Sequence, residues 1–103
     1  MRRYGKTDRN HAEIVKAFRS LGCSVLSLAP LGSGAPDLAV GYGGLTLLVE
    51  IKDGTVVPSA RKLTPDQETF WDTWRGGVRL VTDLQAVVET VDLLNAWHRR
   101  LRA

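Results

Sequence analysis

Residues 34–53 read GAPDLAVGYGGLTLLVEIKD, two apolar-rich runs separated by a glycine pair. Asp37–Gly41 and Leu45–Lys52 have the composition of strands, and Tyr42-Gly43-Gly44 joins them. A Gly-Gly pair suits a two-residue hairpin turn, where both central residues take positive φ. With Gly43 and Gly44 as the turn, Tyr42 pairs with Leu45 and Gly41 with Thr46. Counting back in step, Asp37 falls opposite Glu50. Side chains alternate along a strand, so Leu47, Val49 and Ile51 face one way. Glu50 and Lys52 face the other way, on the side of Asp37.

Elements on either side of the hairpin follow from periodicity and punctuation. From about Asp8 to Leu21, Ile14, Val15, Phe18 and Leu21 form an apolar stripe at helical spacing, with Thr7 or Asp8 as cap and Gly22 as stop. Cys23–Leu28 reads as a short strand, and Pro30–Pro36, with its glycines and prolines, as a loop. Asp53–Lys62 reads as a surface loop. Thr64-Pro65-Asp66-Gln67 is a helix start with Thr64 as N-cap, Pro65 at the first helical position and Gln67 completing a capping box. Phe70, Trp71 and Trp74 are its expected buried face, and Gly76-Gly77 its end. Val78–Val81 is a brief strand. Thr82-Asp83-Leu84-Gln85 repeats the capping-box pattern and opens a last helix to about Leu101, with Leu84, Val87, Val88, Val91, Leu94 and Leu101 as its stripe. The expected order is α-β-β-β-α-β plus a C-terminal helix, an α/β fold with a central mixed sheet flanked by helices, as one domain over residues 1–103.

Bulk properties bound the function. The 103 residues are 44% hydrophobic and 24% charged, a composition that folds into one compact domain and is not disordered. No apolar run approaches the roughly 20 residues that span a bilayer, and the polar stretch Thr7–His11 is not the apolar core of a signal peptide. One cysteine, Cys23, excludes an internal disulfide and a paired-cysteine metal site, so a reducing cytoplasm is the expected compartment and a small core residue the expected role of Cys23. The net charge of +3 is concentrated at the ends, in Arg2, Arg3, Lys6 and Arg9 and in Arg99, Arg100 and Arg102. Such ends contact a polyanion or are simply solvated.

The hairpin carries the chemistry. Opposed strand residues have Cβ atoms about 4.5–5.5 Å apart, where like charges destabilise a sheet. Two carboxylates aimed at one point, Asp37 and Glu50, are stabilised by a divalent cation with oxygen ligands and in part by Lys52. The same residues also fit the solvated face of an edge strand, and a one-residue slip in register separates them. His11 and His98 lack a second nitrogen or sulfur partner nearby and read as surface residues.

Pro36-Asp37, twelve residues and then Glu50-Ile51-Lys52 resemble the PD-(D/E)XK motif of the restriction-endonuclease-like nucleases, and the element order resembles their core. Gly34-Ala35-Pro36-Asp37-Leu38, Val49-Glu50-Ile51-Lys52, Leu63-Thr64-Pro65-Asp66-Gln67 and Gly77-Val78-Arg79-Leu80-Val81, in this order, look like the VRR-NUC family in its stand-alone phage or bacterial form. The resemblance runs from about residue 9 to 90. It implies a metal-dependent DNA endonuclease with Mg²⁺ or Mn²⁺ held by Asp37, Glu50 and the main-chain carbonyl of Ile51. Lys52 matches the catalytic lysine, Gln67 the glutamine beside the site, and Glu13 the acidic residue of the first helix, a further candidate ligand. Asp53 stands where relatives often have a basic or polar residue.

The same resemblance implies branched DNA, including Holliday junctions, as substrate, a 5′-phosphate product and a homodimer, with no nucleotide cofactor and no membrane partner. Arg2, Arg3, Lys6, Arg9, Arg61 and Lys62 are the candidate DNA contacts, joined by the backbone amides of Gly32-Ser33-Gly34. Leu93 and Trp97, off the main stripe of the last helix, are candidates for a C2 interface. Two alternatives stay open: a non-catalytic nucleic-acid-binding module, and a nuclease for flaps or RNA.

Overall fold

The structure, a computed structural model, describes residues 8–102. Positive φ at both Gly43 and Gly44 closes the hairpin in two residues. β1 (Ser24–Ser27) precedes it, β2 (Leu38–Tyr42) and β3 (Leu45–Ile51) form it, and β4 (Val78–Val81) follows. Tyr42 pairs with Leu45, Gly41 with Thr46 and Leu38 with Val49, so the expected register holds and its next step sets Asp37 across from Glu50. β1 lies antiparallel to β2 and β4 parallel to β3, giving a mixed sheet in the order β1-β2-β3-β4.

Three helices complete this small α/β fold: α1 (His11–Ser20), α2 (Pro65–Thr73) and α3 (Leu84–Arg102). One face of the sheet, with Leu38, Val40, Leu47, Val49, Ile51 and Val81, is buried against Ile14 and Phe18 of α1 and Val87 and Leu94 of α3. Each such side chain contributes about 1.5–3 kcal/mol relative to an exposed position. Cys23 joins this core as a free thiol. Alternation then sends Glu50 to the opposite face, where α2 meets the sheet. Among the described residues no helix is long and apolar enough to cross a membrane.

The helices depart from expectation in instructive ways. Asn10, not Asp8, stands at the N-cap of α1, and its side chain accepts nothing from the first helical turn; its amide donates instead to the carbonyls of Lys52 (3.3 Å) and Thr82 (2.9 Å). This ties the beginning of α1 to the ends of β3 and β4. In α3 the cap is Asp83, whose Oδ1 accepts from Ala86 N at 2.8 Å; no box forms around Thr82. The buried stripe is Val87, Thr90 and Leu94, whereas Leu84, Val88 and Leu101 are exposed. Thr90 sits inside because its hydroxyl is satisfied twice, donating to Ala86 O (2.6 Å) and accepting from Arg79 Nε (2.8 Å).

The capping box of α2 is present in full, with Gln67 N donating to Thr64 Oγ1 and Thr64 N to Gln67 Oε1. Its expected buried face is not: no residue of α2 is fully buried, and Trp74 is 44% exposed. Phe70 and Trp74 stack on one another (5.2 Å between centroids) and Trp74 Nε1 donates to Gly77 O, so these two pack locally, while Trp71 is half-buried with its Nε1 enclosed.

Candidate active site

The end of the hairpin away from its turn gathers the polar groups. Asp37 stands just before β2, and its Oδ2 accepts from the Ile51 amide at 2.7 Å, extending the ladder by a side chain. A strand residue projects its N–H and C=O to the same side, so the Ile51 carbonyl also faces Asp37. Glu50, one residue back and on the opposite edge, is only 3% exposed.

Gln67 links the remaining groups. Its Nε2 donates to Glu50 Oε2 at 3.0 Å, and its Oε1 accepts from Lys52 Nζ at 3.0 Å as well as from Thr64 N at 2.9 Å. Lys52 Nζ lies 3.8 Å from Glu50 Oε2. The capping box fixes the Gln67 backbone and one side-chain acceptor, which leaves the amide aimed at the β3 pair. Gly34 makes this approach possible. At its φ of +80° a side chain is disfavoured, and a Cβ would collide with the Asp66 carbonyl at the start of α2.

Charge is not balanced here. Burial, then the neighbouring Asp37 charge, push the Glu50 carboxyl up to about 8, against the opposing pull of Lys52. Asp8 belongs to the same field: burial raises its carboxyl too, Asp37 and Asp53 add to the rise, and Lys52 counters it. Asp53 behaves oppositely. The hydroxyl and amide of Thr55 hold its carboxylate below the usual range, at 2.7 and 2.9 Å, with Arg9 Nε adding an ion pair at 3.3 Å.

Glu50 Oε1 is buried and has no hydrogen-bond partner. An orphaned carboxylate oxygen beside a second carboxylate is a poor protein–protein contact and a good cation ligand. Among the described residues no group of three His, Cys, Asp or Glu side chains closes to ligating distance. A cation would therefore take Asp37 and Glu50 with main-chain oxygen as the remaining protein donor, and the all-oxygen set fits Mg²⁺ or Mn²⁺ better than zinc.

Of the residues named from sequence, Asp37, Glu50, Lys52 and Gln67 come together. Glu13 is exposed on the first turn of α1 and takes no part in their hydrogen-bond network. Arg9 is engaged by Asp53 and by Thr55 Oγ1 (2.6 Å), and Arg61 reaches the Gly54 carbonyl at 3.5 Å, so both brace the loop after β3. Lys62 is exposed. Arg2, Arg3 and Lys6 lie outside the described residues. Asp8 is the site residue that the sequence reading missed. The signal available was the polar run Asp8-Arg9-Asn10, in which Asn10 sits nearer the helix and frees Asp8 from capping. No protein-family model matches the chain, and no curated protein or solved structure matches it either.

Proposed function

We propose that the chain is a metal-dependent nuclease of the PD-(D/E)XK type, resembling the VRR-NUC family, that hydrolyses phosphodiester bonds in DNA. The observation that carries this reading is the buried, unpartnered Glu50 Oε1 beside Asp37, with Lys52 held 3.0 Å from Gln67 on the same face. Asp37, Glu50 and the Ile51 carbonyl would hold Mg²⁺ or Mn²⁺. When bound, such an ion lowers the pKa of a water and offsets charge on the scissile phosphate.

The protein side of the mechanism follows from the contacts. Gln67 fixes the Lys52 ammonium, so that its free N–H groups are available to a phosphate oxygen or to the attacking water. Asp37, anchored on the Ile51 amide, keeps its carboxylate at the strand end without a flexible backbone behind it. Glu50, whose carboxyl burial and Asp37 raise to about 8, would hold such an ion in its ionised form and so would bind it more tightly as pH rises. A restriction-endonuclease-like core, two copies acting together and branched DNA as substrate belong to the same reading. Of the two candidates on α3, Trp97 is 39% exposed and Leu93 half-buried, and with the exposed Leu101 they offer an apolar face for C2 pairing. A reducing, cytoplasmic setting suits the free Cys23.

The test is a cleavage assay comparing four-way junction, flap, splayed and linear DNA, and single-stranded RNA, in Mg²⁺, Mn²⁺ or EDTA beside Asp37→Asn. Metal-dependent cutting that Asp37→Asn abolishes is the expected result, and paired symmetric cuts confined to the junction would make the chain a resolvase. No metal-dependent cutting of any substrate would overturn the nuclease reading in favour of a binding module.

A further inference from the structure

α1 carries a second, basic face beside the one that Ile14 and Phe18 bury. His11, Lys16 and Arg19 lie along it, and the groove between this face and the sheet has a volume of about 390 Å³. Val15 of α1, Val25 of β1 and Leu38 of β2 supply its apolar lining, and no carboxylate lines it. The groove lies on the α1 face of the sheet and the candidate active site on the α2 face, and the two approach each other at the start of α1. Asp8, three residues before His11, shares the electrostatic field of Asp37 and Lys52, and Asn10 donates to the Lys52 carbonyl at 3.3 Å. At the far end Arg19 Nη2 reaches across to the Val25 carbonyl at 3.4 Å. With a rise of 1.5 Å per residue, His11 and Arg19 stand roughly 12 Å apart along the helix, more than one phosphate spacing of a nucleic-acid strand.

Cations along one wall and aliphatic side chains beside them are the chemistry of a sugar–phosphate strand: the charges meet phosphates and the apolar surface meets sugar or base. An apolar partner helix would instead set its surface against three basic side chains. We propose that this groove holds the stretch of strand flanking the phosphodiester that reaches Asp37 and Glu50, with Lys16 and Arg19 on its phosphates. This rests on the nuclease reading of the site.

The test separates the two. Binding of a short fluorescein-labelled oligothymidylate to the full chain is followed by anisotropy in EDTA across a salt series, for the parent, Lys16→Glu/Arg19→Glu, Lys16→Gln/Arg19→Gln and the charge-matched control Arg99→Glu/Arg100→Glu. The Glu pair is expected to weaken binding about tenfold or more and to lower the salt slope by about two, with the Gln pair intermediate and the control smaller. With Mg²⁺, the Glu pair is expected to raise KM for cleavage and leave kcat near the parent value. Equal weakening by the groove and control pairs, or cleavage with KM unchanged, would overturn the groove. A change of oligomeric state in the Glu pair would give the face to a second copy and overturn it as well. Groove-specific loss of binding in a chain that cuts nothing would keep the groove and overturn the nuclease reading.

Discussion

Replacing Glu50 by glutamine is expected to stabilise the metal-free protein at alkaline pH and to flatten its dependence on pH. Glu50 is 3% exposed. Burial and the Asp37 charge raise its carboxyl from the ordinary 4.5 to about 8. Between those two values the folded protein holds a proton that the unfolded chain has released, so stability falls as pH rises, by at most about 1.4 kcal/mol per pH unit. From about pH 6 to about pH 8 the loss comes to roughly 2 kcal/mol, on the order of 10 °C in Tm for a domain of this size. Glutamine carries no proton to lose, and its oxygen still accepts from Gln67 Nε2. The raised carboxyl of Asp8 acts with the same sign. The lowered one of Asp53 acts with the opposite sign and only in acid, where stability is lost as that carboxylate protonates. Melting curves in EDTA, read as the difference between parent and Glu50→Gln, cancel every group that titrates alike in both. Parallel pH profiles for the two proteins would refute the reasoning. Added Mg²⁺ should stabilise the parent more as pH rises, because the ion requires the charged form.

Lys52→Ala should keep the fold and Mg²⁺ binding and lose cleavage, whereas Asp37→Asn should weaken Mg²⁺ binding as well; calorimetric titration beside a cleavage assay separates them. Gln67→Ala removes the capping box and both contacts to the β3 pair, so a loss of about 1–2 kcal/mol in chemical denaturation is expected. Gln67→Glu keeps the box but sets a third carboxylate against Glu50, and should be less stable than the parent at alkaline pH and closer to it in acid. Gly34→Ala forces a left-handed Cβ onto the Asp66 carbonyl and should cost about 1–3 kcal/mol or more, with loss of cleavage as Gln67 shifts. Light scattering across a concentration series should find a dimer that Trp97→Ala weakens; a parent mass that stays monomeric at every concentration removes that expectation.

What could be read from sequence was whatever a short, stiff rule controls. Two glycines fix a two-residue turn, a two-residue turn fixes register, and register carries Asp37 to Glu50 across the strand pair. The Thr64–Gln67 box is equally local and formed as expected. The failures are tertiary. Thr90 takes an inner position of α3 because Arg79, on a different element, satisfies its hydroxyl, and no polarity pattern within the helix contains that fact. Phe70, Trp71 and Trp74 read as core by composition, yet α2 stands over the face that holds Glu50 and Lys52, where Phe70 and Trp74 stack on each other and Trp71 is half-buried. Asn10 stands at the capping position expected of Thr7 or Asp8, and the carbonyls of Lys52 and Thr82, which hold its amide, lie on other elements where no local signal shows them.

The same distinction bears on what the site is for. Thr90 bonds twice and Asp37 takes the Ile51 amide, whereas three buried side-chain polar atoms among the described residues have no partner: Asn10 Oδ1, Trp71 Nε1 and Glu50 Oε1. Of these, the last alone belongs to a carboxyl group. A buried carboxyl with one unpartnered oxygen, facing a second carboxylate, is less stable than the glutamine or aliphatic residue that would fit the same strand. Lys52 offsets it in part, lying 3.8 Å from Glu50 Oε2 while it donates to Gln67 Oε1 at 3.0 Å. Glu50 therefore keeps its proton at neutral pH, and holding it ionised beside Asp37 calls for added positive charge, which the proposed divalent cation would supply.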